Sequence, residues 1–171
     1  MSAEKKVAVV TGASQGIGAA MVSAYRRLGY SVVATARAVK PTDDADILAV
    51  PGDIADRNTA QRAISEGLTR FGRIDTLINN AGIFISKPFT QYTQADYDSM
   101  LSTNIAGFFY LTQRAVEVME RQGWGHIINI TTTAAEQPIG GSPALLASLT
   151  KGGLNAATKA LAIEYGPRGI P

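Results

Sequence analysis

The sequence predicts an α/β protein built as a doubly wound, three-layer parallel sheet with helices on both faces. Short apolar runs recur at Val7–Thr11, Ser31–Ala36, Ile47–Val50, Thr76–Asn79 and Ile127–Thr131. Apolar residues at helical spacing fill most of the gaps, over Gly16–Leu28, Arg57–Phe71 and Gln94–Arg121, and a last helical pattern covers Ala144–Tyr165. Unbroken apolar strands alternating with amphipathic helices are what a parallel sheet buried on both sides requires. The chain has 171 residues, 46% hydrophobic and 18% charged, which suits a single globular domain over 1–171 with a sizeable core.

The first element sets the frame. Val7–Val10 is a continuous apolar run, and glycines follow at 12, 16 and 18 before the first helical pattern opens. A strand that turns through glycines into a helix can hold a phosphate, because the helix start presents free N–H groups and glycine lets the backbone come close. The spacing is GxxxGxG rather than the common GxGxxG. An ordinary glycine-rich β–α turn has the same composition, so this stretch alone leaves both readings open.

The second run ends Ala34-Thr35-Ala36-Arg37, where a protein that binds an unphosphorylated ribose carries Asp or Glu. No carboxylate is present, and the Arg37 guanidinium offers a planar fork suited to a 2′-phosphate. This favours NADP over NAD; a solvated loop charge is the alternative. After the third run, Asp53 in Pro51-Gly52-Asp53-Ile54 either caps the helix over Asp56–Phe71 or nearby backbone as a plain turn residue, or accepts from an adenine amino group. After the fourth, Asn79-Asn80-Ala81-Gly82 either fixes neighbouring loops beside a flat ligand or forms a plain Asx turn. Glu136–Pro143 is the most loop-like stretch and follows the fifth run, where an active-site loop would lie.

Composition excludes several classes. There is no cysteine and one histidine, His126, so disulfides and cysteine-ligated metals are ruled out and no metal site is expected. The formal net charge is +2 with its positive charges scattered, which gives nucleic-acid binding no support. Met1–Lys6 is polar and no apolar stretch reaches membrane-spanning length, so no leader and no membrane are expected and a cytoplasmic location is.

Taken together, these pieces resemble the short-chain dehydrogenase/reductase family. The matching text is Thr11-Gly-Ala-Ser-Gln-Gly-Ile-Gly18, Asp53, Asn79-Asn-Ala-Gly82, Asn104 within Ser102–Gly107, Asn129-Ile-Thr-Thr132, and Lys151 in a helix ending Leu161–Gly166. The resemblance runs the whole chain, with the motifs in the family's order. It implies a Rossmann-type fold, a nicotinamide cofactor, hydride exchange between alcohols and carbonyls, a small-molecule carbonyl or alcohol substrate, and a homodimer or homotetramer. Carried onto this sequence, it assigns the cofactor to Gly12, Ser14, Gln15, Gly16, Ile17, Gly18, Arg37, Asp53, Ile54, Asn80, Ala81, Gly82 and Lys151. It gives catalytic roles to Asn104, Thr132 and Lys151. Lys151 would contact the nicotinamide ribose, Asn104 would hold a water linking that lysine to solvent, and Thr132, in place of the family's serine, would polarise the substrate carbonyl.

Two departures stand out. The family's catalytic helix carries Tyr-x-x-x-Lys, whose i, i+4 spacing sets both side chains on one face. Here the segment reads Ala147-Ser-Leu-Thr-Lys151, and a methyl group donates no proton. A water in the space left by Ala147, relaying through Lys151 and Asn104, is one expected substitute; Ser142 and Ser148 are poorer ones, lacking an activating base. The alternative is a non-catalytic dinucleotide-binding protein. Gly152-Gly153, inside the helix, point to close approach by a cofactor or a packed helix. The second departure is Gly166–Pro171, which reads as the approach to a sixth strand. The sixth and later strands of the family are missing from this chain, so the domain is expected to be incomplete at its C-terminus and the fifth strand to be an open edge.

Overall fold

A computed structural model describes residues 5–171; the polar start read above lies, for Met1–Glu4, outside the described residues. Five parallel strands form one sheet in the order β3-β2-β1-β4-β5. They are β1 (Val7–Thr11), β2 (Ser31–Ala36), β3 (Ile47–Pro51), β4 (Thr76–Asn79) and β5 (His126–Asn129). Five helices surround them: α1 (Gly16–Arg27), α2 (Arg57–Phe71), α3 (Gln94–Leu101), α4 (Gly107–Gln122) and α5 (Leu145–Tyr165). The doubly wound parallel fold is as expected. Among the described residues no helix is long and apolar enough to cross a membrane.

The strand pattern explains the layering. Val7 and Val9 point into a core shared with α2 and α4, through Ile64, Leu111, Ala115 and Met119. Ala8 and Val10 point the other way, against Met21, Val22 and Tyr25 of α1. Because side chains alternate along a strand, a chain buried on both faces needs apolar residues at every position, and Val7–Val10 supplies them. The sheet is pinned beside β4 by Asp75, whose buried carboxylate accepts from the Val7 amide at 2.8 Å and from Arg73.

Two boundaries differ from expectation. β5 ends at Asn129, not at residue 131, because its partner β4 ends at Asn79 and the chain then turns away: the Asn80 amide donates to Thr11 Oγ1. The pattern over 94–121 is one continuous helical rod, but Ser102–Ala106 in its middle is a π-helical turn joining α3 to α4. Gly107, just past it, packs so close to Ile54 that a Cβ would lie 2.9 Å from the Ile54 Cγ2. The outer side of β5 is not bare: the carbonyls of Gly169 and Pro171 accept from the amides of Gly125 and Ile127, and Ile170 is buried.

The strand order reverses between the parallel neighbours β1 and β4: the chain winds outward from β1 through β2 to β3 on one side and from β4 to β5 on the other. A crevice opens at their carboxyl ends at such a point.

Candidate active site

The crevice is a cleft of about 460 Å³, lined by the loops that follow β1, β2, β3 and β4. Gly12, Ser14, Gln15, Gly16 and Ile17 form one wall, Arg37 the next, Asp53 and Ile54 the third, and Asn80, Ala81 and Gly82 the fourth. Eleven sequence-predicted residues thus meet in one place.

The turn after β1 is held from both sides. Gly12 has φ +65°, and a Cβ there would lie 2.9 Å from Asn80 Nδ2. Asn80 Nδ2 donates to the carbonyl of Thr11 at 2.9 Å, and Thr11 Oγ1 accepts from the amides of Asn80 and Ala81 at 2.9 and 2.8 Å. The Asn79–Gly82 motif therefore fixes the neighbouring loop, as one of its two readings held. Asn79 itself lies below the cleft, donating to Thr112 and Asn129. Gly18 does not line the cleft. It lets α1 rest on the turn, since a Cβ there would run into the carbonyl oxygen of Gly12.

Four features of the cleft suit an anionic dinucleotide. Gln15 precedes α1 in extended conformation with no side-chain cap, and the first turn, whose Gly16 and Ile17 line the cleft, holds no acidic residue, so its N–H groups are left for an anion to satisfy. Gly16, at φ +56°, has nothing within 4 Å of where a Cβ would sit. Thr35 Oγ1, buried on the cleft wall, has no hydrogen-bond partner among the described residues. Arg37 is exposed on the rim and enters no ion pair among the described residues.

Asp53 is not the cap of α2. Its Oδ1 accepts from the Ala55 amide within its own turn, whereas the cap is Asp56, which accepts from Asn58. The capping role falls to the aspartate that directly precedes the helix, and Asp53 acts on nearby backbone as a turn residue while also lining the cleft.

The three catalytic candidates lie deeper, on the far side of Gly82. A Cβ on Gly82 would be 3.2 Å from both Asn104 Oδ1 and Lys151 Nζ, so these two groups adjoin the cleft's end. Lys151 Nζ donates to the carbonyl of Ile130 at 2.8 Å. Its half-burial, with no carboxylate at hand, holds its pKa below the ordinary lysine value. Asn104 is 2% exposed and sits in the π turn. Its Oδ1 accepts from the Ile83 amide at 2.9 Å, and its Nδ2 donates to the Ile83 carbonyl and to Thr150 Oγ1. The amide that was expected to hold a water is engaged with protein on both of its ends. Thr132 starts a short turn after β5, where its Oγ1 accepts from the Ala134 amide at 3.3 Å and its O–H has no acceptor among the described residues.

The expected water space at Ala147 is absent. Ala147 is 4% exposed and packs with Met100 and Leu146, covered by Ile83, Ile85 and Tyr92. Ile83 and Ile85 of the loop after β4 cover the position, so the Ala147 methyl meets apolar side chains where the water was expected. At Gly152 and Gly153 no packed helix comes close: a Cβ at either would make only ordinary contact with protein, at 4.0 and 3.9 Å. Sequence reasoning did not assign Thr11, Thr35 and Thr150. Each reads as a β-branched or helical filler, and only the position of Thr11 and Thr35 at the carboxyl ends of β1 and β2 could have flagged them.

Comparison with known proteins agrees with this geometry. The family model for short chain dehydrogenases matches residues 6–171. The acetoacetyl-CoA reductase of Cupriavidus necator is 31% identical over 97% of this chain and 71% of its own length. The L-fucose dehydrogenase of Mus musculus is 37% identical over 96% of this chain, which spans only 62% of that protein. D-threitol dehydrogenase of Mycolicibacterium smegmatis is 37% identical, and the chain spans 66% of it. Among solved structures, a short-chain dehydrogenase/reductase of Serratia marcescens superposes with a TM-score of 0.89 at 35% identity, over 96% of this chain and 74% of that one. The 3-ketoacyl-(acyl-carrier-protein) reductase of Brucella melitensis, complexed with NADH, gives 0.88 at 30% identity, over 99% and 73%. With the glycine turn, the Asn-Asn-Ala-Gly turn and Lys151 meeting around one crevice, the chain belongs to the short-chain dehydrogenase family of oxidoreductases.

Proposed function

We propose that the chain binds a nicotinamide dinucleotide, NADP(H) in preference to NAD(H), and serves hydride exchange with a carbonyl or alcohol substrate. The observation that carries this is the single cleft in which the uncapped start of α1, the unpaired Arg37, Asp53 and the Asn80–Gly82 turn converge. In this reading the amides at Gly12–Ile17 hold the pyrophosphate, Arg37 holds the 2′-phosphate, Asp53 accepts from the adenine amino group and Lys151 holds the ribose hydroxyls. When bound, the nicotinamide supplies or takes up the hydride. Thr132 directs its free O–H at the substrate carbonyl and polarises it. The same reading takes 1–171 as one dinucleotide-binding domain of a cytoplasmic homodimer or homotetramer.

Proton delivery is the weak step. A positioned acid is worth about 10²–10⁴ in rate, and Ala147 supplies none. The packing of Ala147 into an apolar cluster also supports a second reading, a dinucleotide-binding protein without turnover. Fluorescence titration with NADPH and NADH, followed by NADPH oxidation over a panel of carbonyls, separates the two. The first reading expects NADPH to bind at least tenfold tighter than NADH, a preference lost in Arg37→Ala, and slow turnover that falls further in Thr132→Ala. Binding without turnover, until Ala147→Tyr restores it, favours the second. No binding of either nucleotide overturns both.

A further inference from the structure

The second cleft lies where β5 hands over to α5, and its chemistry differs from the first. Its volume is about 720 Å³, within the roughly 300–1,000 Å³ of small-molecule sites. Phe84, Pro138, Ile139, Ala144, Leu145 and Leu149 form its surface. The polar side chains on it are all hydroxyls, from Thr132, Thr133, Ser142 and Ser148; no Lys, Arg, His, Asp or Glu lines it.

Two contacts tie this cleft to the cofactor cleft. Gly82 and Ile83 line the first and Phe84 the second, so three consecutive residues form a shared wall. Ser86 Oγ, on the same segment, donates to the Pro143 carbonyl at 2.8 Å and fastens that wall to the loop before α5. The hydroxyls are unequal. Ser148 Oγ is committed to the Ala134 carbonyl at 3.0 Å, whereas the O–H groups of Thr132, Thr133 and Ser142 have no acceptor among the described residues, and of these three only Thr132 is partly buried, the other two being exposed. The start of α5 on the rim has no side-chain cap, so its first N–H groups can donate to a carbonyl oxygen. Among the described residues no charged side chain on this cleft would pair with a charged ligand, and a polyol would lose the hydrogen bonds of several hydroxyls against apolar walls.

Resting on the function proposed above, the geometry points to the substrate class: an uncharged ketone or aldehyde, or the matching alcohol, with an apolar alkyl or aryl body and one oxygen directed at Thr132. Charged and polyhydroxylated carbonyls are excluded from the site.

Saturation-transfer NMR on the full chain with NADP⁺ present tests this, using acetophenone and 2-octanone against acetoacetate and dihydroxyacetone. Transfer to the first pair and not to the second is expected. Leu149→Arg, at a position 58% exposed and therefore tolerant of the change, and Ile139→Arg should each weaken acetophenone binding at least tenfold while leaving NADPH affinity unchanged. Equal or stronger transfer to the polar pair, no transfer to the apolar pair, or apolar binding indifferent to both variants overturns the proposal. Loss of NADPH binding in the parallel titration would instead strike the cofactor reading, and the two failures are read separately.

Discussion

Gly16 and Gly18 stand two residues apart and are required for different reasons. At Gly18 the constraint is internal: a Cβ would meet the carbonyl oxygen of Gly12, and both partners are backbone. Gly18→Ala must push α1 off the turn, at a cost of about 1–3 kcal/mol. At Gly16 no protein atom is near, and the constraint is the left-handed φ of +56°, worth about 1–2 kcal/mol for an alanine. The added methyl would also face the space over which the proposed pyrophosphate lies. Gly16→Ala should therefore raise the NADPH Kd at least tenfold for a modest fall in Tm, while Gly18→Ala lowers Tm more; equal effects on both readouts from the two variants would remove this distinction. Asn104 gives a second residue-scale expectation. Asn104→Ala strips partners from the Ile83 amide and carbonyl, at about 1–3 kcal/mol for a buried group left unpaired. Urea denaturation should show a loss of that size, and Asn104→Asp should not recover it near neutral pH, because the oxygen that replaces Nδ2 faces the Ile83 carbonyl with no hydrogen to donate.

At the scale of elements, the start of α3 depends on a carboxylate held well below its ordinary pKa. Thr93 and Asp96 form a reciprocal cap at its start, and Lys87 donates to Asp96 at 2.6 Å. The Lys87 ammonium first, then the Thr93 amide and hydroxyl, hold the Asp96 carboxyl from its usual 3.8 down to about 2. A carboxylate with a depressed folded pKa stabilises the fold above its unfolded value, and that contribution fades as pH falls from about 4 towards 2. Over that window wild type should lose stability to urea more steeply than Asp96→Asn; parallel curves would show the cap to be idle. The sequence was informative about elements wherever burial alone decides them. β1, β2 and β4 fall where their apolar runs place them because both faces are covered. The π turn at Ser102–Ala106 was not legible, since nothing local distinguishes it from α-helix; it coincides with Asn104 reaching the Ile83 backbone and Gly107 pressing on Ile54. The end of β5 depended on where β4 stops, which is a property of its partner. The second cleft was equally hidden, because Phe84, Thr132 and Leu149 come from three separate segments.

The whole molecule converts these pieces into a prediction through its strand order. Because β1 and β4 are neighbours and the chain winds outward from them in both directions, the loops after four strands surround one crevice. The glycine turn, Arg37, Asp53 and Asn80–Gly82 are up to 70 residues apart in sequence, and the Thr11 hydroxyl joining β1 to the Ala81 amide at 2.8 Å holds two of these loops as one body. A ligand seated there bridges loops that must separate on unfolding, so it should stabilise the global fold rather than a local turn. Binding only to the folded state contributes about 2.7 kcal/mol at a hundredfold excess over Kd. For a chain of this size each kcal/mol moves Tm by about 2–4 °C, so NADPH should raise Tm by about 5–10 °C. If Arg37 grips the 2′-phosphate, Arg37→Ala weakens NADPH tenfold, removes about 1.4 kcal/mol of that stabilisation, and roughly halves the rise at the same nucleotide concentration. The NADH shift, already the smaller one, should not change in that variant. A melt unmoved by millimolar NADPH and NADH alike would mean that the crevice at the carboxyl ends of the sheet holds no dinucleotide, and the assignment of Gly12, Gly16, Arg37 and Asp53 would go with it.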